Sequence, residues 1–132
     1  KIIEIINNLK NKMFNYLIIT MGNNYEEHNL YLFNKYGVDT NSNLAEIKDK
    51  LIFFKKPNIH ELINLIILSD SVITTEGGVT HISASFEKNL INLIDKNNIN
   101  FLKKWKPNVS NCNDLIINEN ALVNNINRSL LI

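Results

Sequence analysis

Cysteine, arginine and proline are scarce in this 132-residue sequence, which holds one Cys, one Arg and two Pro, with only four Gly. A lone Cys112 excludes an internal disulfide and a cysteine-built metal site, and it fits a reducing, cytoplasmic setting. An excess of one charge is missing too: 14 basic and 13 acidic residues leave a net charge of +1. Nucleic-acid binders carry a basic excess gathered on one face, so no nucleic-acid partner is expected. No apolar run approaches the roughly 20 residues of a membrane span. The opening Lys1-Ile2-Ile3-Glu4 has no cleavage signature and does not read as a signal peptide. Running straight into a helical pattern, it suggests a chain trimmed at a domain boundary.

What is present is the composition of a globular domain, 45% apolar and 20% charged, long enough for one buried core. Asn and Ile are over-used, as in an AT-rich genome, which deprives Asn of its value as a turn marker. Lys55-Lys56 and Lys103-Lys104-Trp105-Lys106 read as solvated surface, with phosphates or an anionic membrane as their other use.

Helical and strand periodicities alternate. Ile2, Ile5, Ile6, Leu9 and Met13 fall at helical spacing. Residues 16–21 form an apolar run of the kind found in strands buried on both faces, stopped by Gly22. Leu30, Leu32, Phe33 and Tyr36 mark a second helix with Gly37 as its stop, and 43–49 suggest a short third. Residues 51–54 predict a strand with Phe53 and Phe54 in the core. Asn58 then caps a helix, with Glu61 three residues on and a stripe of Ile59, Leu62, Ile63, Ile66 and Ile67. Strands over 71–74, 90–94 and 115–117 and helices over 79–86 and 119–131 complete the pattern. Short apolar strands between helices imply parallel pairing, and hence an α/β fold: one domain, residues 1–132, with a doubly wound, mostly parallel sheet of about five strands.

In such sheets ligands bind beyond the carboxyl ends of the strands. That selects Thr74-Thr75-Glu76-Gly77-Gly78-Val79-Thr80-His81. Two glycines let the backbone turn sharply, and the start of the next helix offers free N–H groups and a positive dipole end to a phosphate. A carboxylate beside it accepts hydrogen bonds from sugar or ribose hydroxyls. The plainer alternative is a turn in which Glu76 caps the helix.

From Ile59 to Pro107 the order of features resembles the family 9, heptosyltransferase-like glycosyltransferases. Their pattern is a helix ending in Ala/Ser-Asp, a strand, Thr-x-Asp-Ser/Thr-Gly-x-x-His, a helix of small residues, a strand and then Trp-x-Pro. Here Ser69-Asp70, residues 71–73, Thr74 to His81, Ile82-Ser83-Ala84-Ser85-Phe86, Leu90 to Ile94 and Trp105-Lys106-Pro107 stand in those places. Tyr16 to Gly22 and its helix match more loosely, and only residues 69–107 are specific. The resemblance implies the C-terminal, Rossmann-like half of a GT-B enzyme that inverts the anomeric centre. It would transfer a sugar, heptose among the candidates, from a nucleotide-diphosphate donor (ADP-linked favoured) to a lipopolysaccharide or lipooligosaccharide core. The acceptor domain and its general base would lie outside this chain, leaving the fragment inactive alone. No cofactor and no metal is implied, and the enzyme would work in a bacterial cytoplasm, with any membrane contact peripheral to the inner face of the inner membrane.

Residue by residue, the resemblance puts Glu76 at the donor sugar and Gly77, Gly78, Val79 and Thr80 at the diphosphate, with Thr75 before them. His81 either touches the donor or holds the loop. Met21 and Gly22, closing the first strand, are candidates for the base or ribose, against a plain loop. Two departures stand out: Glu76 replaces the commoner Asp, and Gly77 replaces Ser/Thr and removes a hydroxyl. They leave a second reading open, a non-catalytic α/β binding or regulatory module with a decayed site. His28 and His60 read as surface histidines, Asp70 as a helix end, and Trp105 as a residue closing the domain or shielding the cleft. Glu26-Glu27-His28 lacks a second spaced ligand for a metal, and neither Ser71 nor Ser83 has a triad around it.

Overall fold

The computed structural model describes residues 2–12, 14–21, 26–39, 45–75, 77–117 and 119–130, the side chains of residues 21, 26–29 and 46 excepted. The class is α/β. In chain order the elements are α1 (Ile2–Lys10), β1 (Leu17–Met21), α2 (Glu26–Tyr36), β2 (Glu46–Lys48), β3 (Leu51–Lys55) and α3 (Ile59–Leu68). There follow β4 (Ser71–Thr75), α4 (Gly78–Ser85), β5 (Asn89–Ile94), a 3₁₀ turn (Lys96–Asn98), α5 (Ile99–Trp105), β6 (Cys112–Ile116) and α6 (Leu122–Ser129). Where one domain with one sheet of about five strands is expected, the described residues form two three-stranded sheets. The chain divides into two compact units, Lys1–His60 and Glu61–Ile132.

In the first unit the strand order is β1-β3-β2, β1 parallel and β2 antiparallel to β3. The central strand alternates as a pleat requires: Leu51, Phe53 and Lys55 point to the buried side, and Ile52 and Phe54 are half-buried. Ile6, Leu32, Phe33, Val38, Leu51 and Phe53 make the core. The Tyr36 ring lies 5.5 Å from that of Phe53, and its hydroxyl donates to Asn7 Oδ1 at 2.9 Å. Partial burial raises the Tyr36 pKa, an effect the Lys10 charge opposes. Ile5, Ile6 and Leu9 are the buried stripe of α1, as their spacing predicts, whereas Ile2 is exposed and Met13 lies outside the described residues. β1 is an edge strand whose Leu17, Ile18 and Ile19 are only half-buried, not covered on both faces.

Gly37 stops α2 as expected, at φ 62. Val38 N–H reaches back to Phe33 O at 2.9 Å and Gly37 N–H to Asn34 O at 3.3 Å, while the Val38 and Phe33 side chains are both buried. These are the two bonds and the apolar contact of a Schellman ending.

Of the helix expected over 43–49, residues 43 and 44 lie outside the described residues, and the rest is instead strand β2 and the start of a tight hairpin. Lys48 pairs with Leu51 around two loop residues, and Asp49 takes φ 60, the positive value such a turn asks of its first position. Lys55, expected at the surface with Lys56, is buried, because strand alternation places it beside Phe53. Its ammonium donates to the carbonyl of Asp39 and sits 5.7 Å from the centre of the Phe33 ring.

In the second unit β4-β5-β6 are all parallel. β5 is the buried centre: Leu90 and Ile91 are fully enclosed and Leu93 and Ile94 nearly so. α3 begins as foreseen, with Asn58 Oδ1 accepting from His60 N–H at 3.0 Å. Leu122 and Ile126 seal α6. β6 runs from Cys112, three residues before the start expected. α5 is unforeseen, since of its seven residues only Leu102 is buried. Trp105 does not close the domain: it is 62% exposed and rests beside Phe101, ring centres 6.1 Å apart.

Candidate functional site

The turn between β4 and α4 carries most of the residues singled out by sequence. Thr75 ends β4, exposed, at the carboxyl edge of the parallel sheet beside Leu93 of β5. Gly77 has φ 142 and ψ −163, a conformation essentially restricted to glycine, and this extreme backbone turns the chain from strand into helix. Gly78 opens α4. Among the described residues neither the Gly78 nor the Val79 amide has a hydrogen-bond acceptor. Both belong to the first turn of an eight-residue helix, where free N–H groups and the dipole favour an anion. An added Cβ would meet nothing within 4 Å at either glycine, so the backbone is open to close approach.

Thr80 faces inward. It is 2% exposed, its N–H donates to Gly77 O at 3.1 Å and its hydroxyl to Thr75 O at 3.1 Å. These two bonds pin the helix start to the strand end. The Thr74 hydroxyl donates to the same carbonyl at 2.8 Å. Thr80 thus shapes the loop, with both donors that could reach a diphosphate already engaged. His81 is exposed and one residue further along the same short helix.

Thr75, Gly77, Gly78, Val79, Thr80 and His81 are therefore one contiguous constellation. Glu76 and Gly22 lie outside the described residues. Met21 ends β1, its backbone paired with Lys55, in the first unit.

A second polar cluster, on the β5–β6 pair, escaped the sequence reading. Asn92, 1% exposed in an otherwise apolar strand, donates through Nδ2 to Asp114 Oδ1 at 3.2 Å. Lys106 Nζ bridges to Asp114 Oδ2 at 2.7 Å, and Cys112 Sγ lies 3.7 Å from Oδ1. The hydrogen bond to Asp114, and then its charge, raise the Lys106 pKa. Burial, then the Asp114 charge and hydrogen bond, push the Cys112 thiol up, while Lys106 pulls it down. Asn92 Oδ1 and Ser83 Oγ are buried without a partner among the described residues. One Asn within Leu90-Ile91-Asn92-Leu93-Ile94 was the available signal; its partner Asp114 needs the β5–β6 register to be known. Among the described residues no three His, Cys, Asp or Glu side chains are grouped to share a metal ion.

No protein-family model, curated protein or solved structure matches the chain.

Proposed function

We propose that the chain is the donor-binding domain of an inverting, family 9-like glycosyltransferase. The observation that carries the reading is the β4–α4 turn. A Gly-only bend at the carboxyl end of a parallel strand presents the Gly78 and Val79 amides and the positive end of α4 to solvent. In this proposal those amides stabilise the charge that develops on the leaving diphosphate, with no required metal. Glu76 accepts hydrogen bonds from hydroxyls of the donor sugar, and His81 stands at the rim. The general base that activates the acceptor hydroxyl belongs to a second domain outside this chain, so the chain alone binds nucleotide weakly and transfers nothing. The acceptor is a lipid-linked saccharide of the lipopolysaccharide type, and the reading carries with it one doubly wound sheet of about five strands, which a crystal structure tests.

The inward turn of Thr80 and the bare Gly77 favour a second reading, a binding or regulatory module with a decayed donor site. Glu76→Ala separates the two. A working site loses affinity for ADP-linked sugar, about tenfold or more if the carboxylate holds a hydroxyl through a charge-assisted hydrogen bond. A decayed site gives the same calorimetric titration with and without the carboxylate. Sugar transfer by this chain alone overturns the division of labour.

A further inference from the structure

We infer that α5 is a membrane-contact element that docks the chain on anionic lipid through Phe101, Trp105 and the lysines around them. The inference is independent of the donor-site reading. Phe101 and Trp105 are 65% and 62% exposed, one helical turn apart on the same face, with their rings 6.1 Å apart. Lys104, three residues on from Phe101, flanks that face on the Phe101 side, whereas Lys103 lies on the opposite side of the helix. Only Leu102 of this helix is buried, so the aromatic pair is not what holds α5 in place.

Charge identifies the occupant. From Lys96 to Asn111 the sequence has four lysines and no acidic residue, which leaves ten basic against thirteen acidic residues in the rest of the chain. A lysine-rich stretch without acidic residues therefore coincides with the exposed aromatic pair. Lys106 is engaged by Asp114, whereas Lys96, Lys103 and Lys104 are exposed. Nucleic acid would call for a larger basic face. A headgroup layer asks for what is here: aromatic rings that lie at the boundary of water and acyl chain, with ammonium groups beside them for anionic lipid. No helix among the described residues is long and apolar enough to cross a membrane, so the contact is peripheral.

Trp105 is the only tryptophan, so its fluorescence reports on this face alone. Vesicles of phosphatidylcholine with about a third phosphatidylglycerol should blue-shift the emission, and brominated acyl chains should quench it. Pure phosphatidylcholine should do far less. Lys104→Glu should weaken partitioning at least about fivefold, and Phe101→Ser should reduce the blue shift. Both side chains are exposed, so neither change threatens the fold, and co-sedimentation of Trp105→Ser gives a readout without the fluorophore. An unchanged spectrum with the anionic vesicles at millimolar lipid overturns the inference. So does a blue shift that appears on concentrating the protein alone, which assigns the face to a second copy, or one produced equally by a DNA duplex.

Discussion

Gly77 and Gly78 are adjacent, both exposed, and neither has an atom within 4 Å of where a Cβ would stand. Alanine at either position adds the same methyl group to the same open solvent, so sterics and burial cancel in the comparison. The backbone does not cancel. At φ 142 and ψ −163, Gly77 occupies a region that a residue with a Cβ enters at a cost of about 1–3 kcal/mol. Gly78 is the first residue of α4, where alanine lowers the entropy of the unfolded chain and gains roughly 0.4–1 kcal/mol. The two variants should therefore differ by about 2 kcal/mol with opposite signs, roughly a 30-fold difference in the folded-to-unfolded ratio. For a chain of this size that is about 6–10 °C in Tm. Thermal unfolding followed by circular dichroism, with amide exchange of Leu90–Leu93 to localise the effect to the second unit, measures it. Equal stabilities for Gly77→Ala and Gly78→Ala would refute the strained turn on which the donor-site geometry depends. A low-cost Gly77→Ala would also mean that the segment relaxes into an ordinary loop.

Phe53→Ala should destabilise the first unit by about 3–5 kcal/mol, because Phe53 is wholly buried on the central strand against Tyr36; urea unfolding checks it, and a loss under 1 kcal/mol contradicts the core assignment. Glu87→Gly should stabilise by about 0.5–1 kcal/mol. Glu87 ends α4 at φ 54, with Glu87 N–H on Ala84 O and Lys88 N–H on Ser83 O, a Schellman ending that glycine enters without the left-handed penalty. Cys112 should react with iodoacetamide more slowly in the folded chain than in urea at about pH 8, since burial and Asp114 raise its pKa. The folded state then holds the thiol proton more tightly than the unfolded one. This contribution to stability is complete below the unfolded pKa of about 8.5 and is lost as pH rises above it; Cys112→Ser should flatten that alkaline decline.

Long periodic segments were legible because burial and spacing agree in them. Ile5, Ile6 and Leu9 lie on one side of α1, Asn58 caps α3, and Gly37 ends α2 in the geometry glycine suits. Short elements were not, because their determinants are not local. β2 is three residues with Ile47 exposed, paired to β3, and its turn uses Asp49-Lys50 in place of a glycine signal. α5 shows no apolar stripe because two of its three large side chains after Ile99 point to solvent. Lys55 reads as surface until strand alternation carries it inward. The split into two sheets is invisible to periodicity, since an edge strand and a central strand share the same apolar run. At the site, strand-Gly-Gly-helix was legible: β4 ends at Thr75 and α4 opens at Gly78. The role of Thr80 was not, because a Thr in a helix's first turn can face the ligand side or the strand, and only the bond to Thr75 O distinguishes them.

The donor-binding proposal requires a nucleotide-diphosphate site at the β4–α4 turn. Backbone amide shifts of the ¹⁵N-labelled chain, followed by NMR during titration with ADP, UDP, GDP and CMP, test it most directly. A donor site there gives saturating, nucleotide-selective shifts of Gly77 through His81, largest at Gly78 and Val79 and favouring the diphosphates. Shifts confined to other residues, or none from any of the four at millimolar concentration, would contradict it.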